Sequence, residues 1–218
     1  MTHSTIALPI QPDYDDSALL RMVDDLTAKQ FSVQPGAMPQ AVQTGLCGKL
    51  ENMSQDRFDW AQIGRGVDEQ QNHFVRKNSV HWLNEADATV QTWFAWIEQL
   101  RQTLNRHLFL GLDSFESHLA LYQPGNFYRR HTDAFRGERN RVVSLVAYLN
   151  EGWQPDQGGE LVLYPDNLAP IKVTPEIGTV VLFLSEEIPH EVLTTQRTRF
   201  GVAGWFRVRS GNLLNDLT

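Results

Sequence analysis

Three residues in the second half of the chain are of types that together can bind a transition metal. His131 and Asp133 are separated by one residue, so their side chains lie on the same side of an extended segment. His190 follows a proline further along the chain. Two imidazoles and one carboxylate can occupy one face of an Fe(II) ion and leave the opposite face open to reacting ligands. The three residues therefore predict a non-haem iron site, if the fold brings them together.

Each of these residues has an ordinary explanation when it is considered alone. An exposed His-x-Asp pair most often has a surface or capping role, and a histidine after a proline is common. Independent support comes from the strand-like run that begins at Arg199. Its period-two alternation puts four residues on one face, Arg199, Gly201, Ala203 and Trp205.

That face has a fixed cation at one end and two small residues in the middle, which makes a shallow floor. It suits a small dianionic cosubstrate that meets the Arg199 guanidinium with one carboxylate and chelates the metal with its other end. The hydroxyl of Tyr148, at the end of the run 141–149, can donate to the same carboxylate. The sequence leaves open the alternative that Tyr148 is simply an aromatic residue of the core. Val180 and Leu182 are expected to supply apolar walls that keep the site dry.

Helices come first in the chain and strands follow. Apolar spacing predicts helices over residues 15–30, 39–53 and 87–108, and a strand near 76–83. From residue 115 onwards, short β-type runs recur between Gly, Pro and Asn, namely 117–122, 141–149, 160–164, 171–174, 179–184, 191–194 and 198–208. This order indicates an α+β fold with a jelly-roll core and supporting N-terminal helices. The polar stretch 56–71, with Gly64 and Gly66, is expected to form a hairpin or loop, either one that covers the site or an ordinary surface loop.

Composition limits the classes of protein that the chain can belong to. Its 218 residues favour one domain with a single core. We divide that domain into residues 1–115, which give helical support and the substrate loop, and residues 116–208, which form the catalytic core. A formal charge of −7 disfavours nucleic acid as a partner. Cys47 is the single cysteine, and no apolar run is long enough for a membrane span, so we expect a cytoplasmic protein.

The motifs, taken in order, resemble a known family. They are Tyr122-Gln-Pro-Gly-Asn, Tyr128-x-x-His131-x-Asp133, Arg141 to Tyr148-Leu-Asn, Gly158-Gly-Glu-Leu161, Pro189-His190-Glu191-Val and Arg199 to Trp205. This series is similar to the 2-oxoglutarate- and Fe(II)-dependent dioxygenases. The similarity is greatest to the prolyl hydroxylase branch that includes the animal oxygen-sensing enzymes and their bacterial relatives, and it extends to Arg76-Lys-Asn-Ser-Val80-His-Trp82.

The resemblance implies a double-stranded β-helix and a role for each matching residue. Iron would be held by His131, Asp133 and His190, and the distal carboxylate of 2-oxoglutarate by Arg199 and Tyr148. Tyr122 and Trp205 would line the cosubstrate and reaction pocket, and Tyr128, Arg76 and Arg141 would lie near the entrance, where family members take up a peptide. Dioxygen would be the second cosubstrate and ascorbate a candidate reductant.

The family's reaction releases succinate and carbon dioxide as it hydroxylates an unactivated C–H bond. The resemblance implies a protein substrate modified at proline, and the bacterial relatives point to a translation-associated protein. Two alternatives stay open: an oxygenase of the same superfamily that acts on a small molecule or free amino acid, and a non-catalytic metal-binding β-barrel. The sequence does not indicate the oligomeric state.

Overall fold

The computed structural model describes residues 16–53, 57–60, 76–133 and 140–209 of the chain. Three helices lie in the first half: α1 Asp16–Lys29, α2 Gln40–Glu51 and α3 Gln91–Leu108. Short 3-10 turns span Ala88–Val90 and Pro155–Gln157. Within the described residues, no helix is long and apolar enough to span a bilayer.

Helix α3 follows from its apolar spacing. Trp93, Ile97, Leu100 and Leu104 recur every three or four residues and are all buried. The helix ends because Phe109 takes a left-handed conformation, with φ of 54°, which stops the helical hydrogen-bond pattern.

Eleven strands are found in the described residues. They are β1 Phe31–Gln34, β2 Asp59–Trp60, β3 Ser79–Trp82, β4 Ser114–Tyr122, β5 Tyr128–His131, β6 Arg141–Tyr148, β7 Leu161–Leu163, β8 Ile171–Val173, β9 Val180–Leu184, β10 His190–Val192 and β11 Arg199–Arg207. The major sheet has the order β1-β9-β6-β11-β4-β3-β2, and the minor sheet has the order β5-β10-β7-β8. All named strand pairs are antiparallel.

The two faces of the major sheet belong to two different cores. One face packs on the helices, through Leu119, Leu145, Val202 and Phe206 among others. The opposite face turns towards the minor sheet, and its buried residues include Tyr122, Tyr148 and Phe183. Because strands β5 and β10 carry the histidines, the candidate site lies on this second face, between the sheets.

This architecture confirms the predicted α+β fold with a double-stranded β-helix core. The expected role of Val180 and Leu182 was wrong, since both belong to the helix-side core. Their neighbours Val181 and Phe183 face the minor sheet instead. The predicted loop at 56–71 is described only in its first part, where Asp59–Trp60 pairs with β3, and residues 61–71 lie outside the described residues.

Candidate metal centre and cosubstrate site

The predicted metal ligands converge at one end of the minor sheet. His131 ends β5 and His190 begins β10, and the two residues are direct partners in the antiparallel register. Asp133 follows two residues after the end of β5. The ligand atoms of the three side chains all lie within 4.8 Å of one another, a separation that one metal ion can bridge. Sheet pairing therefore brings together residues that are far apart in sequence.

Both histidines are oriented for metal binding through Nε2. The Nδ1 atom of His131 lies 2.8 Å from the Arg129 carbonyl, and that of His190 lies 3.1 Å from the Ile188 carbonyl. A carbonyl oxygen can only accept, so each Nδ1 carries the proton and donates it. Each Nε2 then has a lone pair available to a metal, and the two Nε2 atoms lie 3.6 Å and 3.7 Å from the carboxylate oxygens of Asp133.

Asp133 is held as a buried carboxylate. The Ser144 hydroxyl donates to its Oδ2 at 2.6 Å, and its backbone N–H donates to the Ser185 carbonyl at 3.2 Å. Burial acts to raise the pKa of Asp133, but His190 and His131 in their protonated forms and the donating Ser144 hydroxyl outweigh it, so that pKa lies well below its usual range. The carboxyl group is thus ionised over the whole physiological range.

His190 is buried as well, and burial lowers its pKa to about 4, although Asp133 acts in the opposite direction. At neutral pH the site accordingly offers an unprotonated imidazole nitrogen and an anionic oxygen. This donor set of two imidazoles and one carboxylate fits Fe(II) with open coordination positions.

The cation expected for a cosubstrate is buried on the major sheet, on the face that turns towards the minor sheet. Arg199 is 2% exposed, and its guanidinium lies 4.8 Å from the Tyr122 ring centre and 5.1 Å from that of Tyr148. The Arg199 Nε and the Tyr148 hydroxyl are buried and make no hydrogen bond within the described ranges. Burial raises the pKa of Tyr148 to about 12, despite the nearby guanidinium, so the hydroxyl keeps its proton and can donate it. Two unpartnered donors at one point fit an anionic group such as a carboxylate.

Glycines keep the space around Arg199 open. A Cβ atom on Gly159 would lie 3.2 Å from Arg199 Cδ and 3.0 Å from the Thr195 side chain, and its φ of +71° favours glycine in any case. A Cβ atom on Gly201 would lie 3.0 Å from the Ala147 carbonyl. The close approach of the Ala147 carbonyl to Gly201 fits the shallow floor predicted between Arg199 and Trp205.

Tyr128 and Arg76 are stacked upon the metal centre. The Tyr128 ring lies 3.6 Å from the His131 ring, nearly parallel to it, and the Arg76 guanidinium lies 4.7 Å from the Tyr128 ring centre. Arg76 and Tyr128 also form a backbone bridge. Arg76 donates from Nε to Asn78 at 2.7 Å. Both residues are half-buried, which leaves their predicted contact with a substrate open to test.

Arg141 lies against the reaction face rather than out in solvent. It is 8% exposed, its guanidinium lies 3.8 Å from the Trp205 ring centre, and it donates to Glu116 at 2.7 Å. Arg207 donates to the other oxygen of Glu116 at 3.0 Å. Glu116 therefore fixes Arg141 where it covers one side of Trp205.

Sequence reasoning missed three residues of this face, Glu116, His118 and Ser144. The alternation of side chains along β4 and β6 could have revealed them. Glu116 and His118 are on the same face of β4 as Tyr122, and Ser144 is on the same face of β6 as Tyr148. None of the three belongs to a motif that carries chemistry by itself.

Comparison with known proteins agrees with this geometry. The family model of the 2OG-Fe(II) oxygenase superfamily matches residues 117–207. A crystal structure of a Pseudomonas putida prolyl-4-hydroxylase is 38% identical and has a TM-score of 0.79, with 88% of this chain and 99% of that chain covered.

Two further relatives have lower identity. A Trichoplax adhaerens prolyl hydroxylase, solved with a hypoxia-inducible factor peptide fragment, shares the fold with a TM-score of 0.79 at 22% identity, over 88% of this chain and 90% of its own. The hypoxia-inducible factor prolyl hydroxylase of Caenorhabditis elegans is 27% identical over 147 residues, which are 62% of this chain. The aligned part is 20% of the length of that relative.

The structural relative from Pseudomonas putida is matched over nearly its whole length, and the matched family model covers the strands that carry the triad and Arg199. The chain therefore belongs to the 2-oxoglutarate- and Fe(II)-dependent oxygenase superfamily, in its prolyl hydroxylase branch.

Proposed function

We propose that this dioxygenase hydroxylates a proline residue of a protein, with 2-oxoglutarate and dioxygen as cosubstrates and Fe(II) as the metal. The observation that carries the proposal is that the His131–Asp133–His190 cluster, at the end of the minor sheet, and the Arg199–Tyr148 donor pair, on the major sheet, both lie in the space between the two sheets. The 38% sequence identity to the Pseudomonas putida prolyl-4-hydroxylase supports proline as the residue that is hydroxylated.

Bound iron, 2-oxoglutarate and dioxygen supply the oxidising power for hydroxylation of an unactivated C–H bond, with release of succinate and carbon dioxide. The protein side chains orient and enclose these reactants. His131, Asp133 and His190 would hold the metal by one face, and Arg199 with Tyr148 would hold the far carboxylate of the cosubstrate. The protein therefore sets where the reactive face points.

Apolar residues of the two sheets enclose the site. Phe183 lies 4.5 Å from the His190 ring, and Leu161 and Leu163 of the minor sheet are buried in the same cluster. Tyr128 covers His131 from the other side. These walls limit water near the metal, which protects a reactive site from side reactions.

The rival function is oxidation of a small molecule or free amino acid by the same site. The peptide-bound structure of the Trichoplax adhaerens relative concerns that protein, yet its shared fold supports a protein substrate here. The Arg76 and Tyr128 stack beside His131 gives such a substrate a half-buried surface to contact.

The first test is succinate formation by the purified protein with Fe(II) and 2-oxoglutarate. His131→Ala and Asp133→Ala should each abolish this turnover, because each removes one of three metal ligands. Both variants should also lose Mn(II) binding measured in the absence of turnover. Near-normal turnover in both would contradict the assignment of the triad.

The second test identifies the substrate. Proteins from cells with and without the enzyme are compared by mass spectrometry for a gain of about 16 Da on proline, the mass of one oxygen atom added by this chemistry. We propose a translation-associated protein of the cytoplasm. Modification restricted to another residue type, or to free metabolites, would contradict the proposal and favour the rival.

A further inference from the structure

Four buried polar atoms other than those of Arg199 and Tyr148 lack a hydrogen bond within the described residues, and two of the four belong to side chains that contact each other on the reaction face. These two atoms are Nδ1 of His118 and Nε1 of Trp205. His118 is 3% exposed and Trp205 is 8% exposed. Buried polar atoms are nearly always paired, so two unpaired ones in contact indicate a place for a polar ligand.

The two side chains form one wall with Trp82. The ring centre of His118 lies 5.5 Å from that of Trp205 and 5.1 Å from that of Trp82, in edge contacts. Trp82 is 51% exposed, so this aromatic wall of Trp82, His118 and Trp205 reaches solvent at one end. Trp82 is therefore the outer end of the wall, and the buried His118 and Trp205 are its inner end.

The aromatic wall lies beside the metal end of the site. Trp205 pairs with Ser144 in the sheet register, and the Ser144 hydroxyl binds the ligand Asp133. On the other side of β11, Ala203 pairs with His118. Arg199 is at the opposite end of the same strand. The wall thus faces the region where the C–H bond to be oxidised must lie, not the region of the cosubstrate carboxylate.

The chemistry of the wall suits a neutral ligand with both a donor and an acceptor. Burial, together with the charges of Arg76 and Arg141, lowers the pKa of His118 to about 3, so its imidazole is neutral. A neutral imidazole has one donor and one acceptor nitrogen, and Trp205 adds a donor. A peptide group offers one carbonyl and one N–H, whereas the ammonium of a free amino acid would lie near two arginines.

We propose that His118 is a specificity-determining residue which, with Trp205, hydrogen-bonds a peptide group next to the hydroxylated residue. The inference rests on the proposed function and deepens it, because it separates a peptide substrate from a free amino acid by named atoms.

The test uses two probes, N-acetyl-L-proline methylamide, in which proline lies between two peptide groups, and free L-proline. The protein is loaded with Zn(II) and 2-oxoglutarate so that no turnover occurs, and binding is measured by ligand-observed NMR. The wild-type protein should bind the diamide more tightly than L-proline. His118→Leu should weaken binding of the diamide by about 3- to 10-fold, the size of one lost hydrogen bond.

His118→Asn is the matched variant, because the asparagine amide places a polar atom near the position of Nδ1. It should keep most of the affinity for the diamide. His118→Leu should be at least as thermally stable as the wild-type protein, since it removes an unpaired buried polar atom. A histidine needed only for packing would instead lose stability and leave probe binding unchanged.

Three results would overturn the inference: no binding of the diamide, equal binding of both probes, or equal binding by His118→Leu and wild type. The proposed function has separate measurements, since succinate formation and the mass gain on proline do not depend on these probes. Proline hydroxylation without binding of the diamide would therefore refute the proposed role of His118 and Trp205 and leave the proposed function unaffected.

Discussion

Tyr148→Phe removes one hydroxyl group whose function the structure makes specific. The hydroxyl is buried beside Arg199, has no hydrogen-bond partner within the described residues, and keeps its proton because burial raises the pKa of Tyr148 to about 12. The ring itself is 0% exposed and packed, and phenylalanine preserves it. The substitution therefore separates the polar role of the residue from its packing role.

The expected effects have opposite signs in the free and the cosubstrate-bound protein. A buried hydroxyl without a partner costs about 1–3 kcal/mol, so the free variant should be more stable, by about 1 kcal/mol if only part of that cost is recovered. For a protein of this size, that change corresponds to a rise of about 2–4 °C in Tm. A hydrogen bond to a charged carboxylate contributes about 1.5–3 kcal/mol, so the affinity for 2-oxoglutarate should fall about 10- to 150-fold.

Thermal unfolding of the metal-free protein and the 2-oxoglutarate dependence of succinate formation measure the two effects. Tyr164→Phe is a matched control, because the Tyr164 hydroxyl donates to Glu191, away from Arg199. The control should not change the affinity for 2-oxoglutarate. A Tyr148→Phe variant with lower Tm and unchanged cosubstrate affinity would refute the reasoning, since the hydroxyl would then be satisfied within the protein.

Two other perturbations test the metal centre and the reaction face. Ser144→Ala removes the hydroxyl that donates to Asp133, so it should weaken Mn(II) binding about tenfold in calorimetric titrations. Ser185→Ala is the control and should have a milder effect. Equal Mn(II) affinities in Ser144→Ala and the wild-type protein would show that Ser144 does not support Asp133 as a metal ligand. The free energy of unfolding should fall as pH drops below about 6.5, because the folded state, with the pKa of His118 near 3, binds fewer protons than the unfolded chain. Denaturant titrations between pH 7 and 4 measure this fall in the free energy of unfolding, which should be smaller in His118→Leu. Identical pH profiles of the variant and the wild-type protein would contradict the assignment of the fall to His118.

The sequence predicted the strand and helix order well because the patterns are local. The three helices and the seven β-type runs predicted from residue 115 onwards appear near their predicted positions, whereas β5 was not among the predicted runs. The alternation along β11 put Arg199 and Trp205 on one face, and the structure confirms it. Residue types and motif order were also enough to identify the metal ligands, because two histidines and one carboxylate in this order have few explanations other than an iron site.

The face on which a fully buried strand presents each side chain could not be read from the chain. In β9, residues 180–183 are all buried and apolar, so alternation carries no signal, and the faces of Val180 and Val181 were decided by which sheet and which helices pack on them. His118 and Ser144 were missed for a different reason: the alternation of β4 and β6 puts them on the site face, but their roles depend on neighbours from other strands.

The sequence by itself determined the chemistry available, since the triad, Arg199 and Tyr148 are distinguished by their types and order. Only the tertiary structure decided which buried polar atoms of the described residues are left without partners, among them those of Tyr148, Arg199, His118 and Trp205. The physical reason is that the hydrogen-bond partner of a buried polar atom comes from a distant strand, so whether the atom has a partner is decided only when the strands pair and the sheets pack.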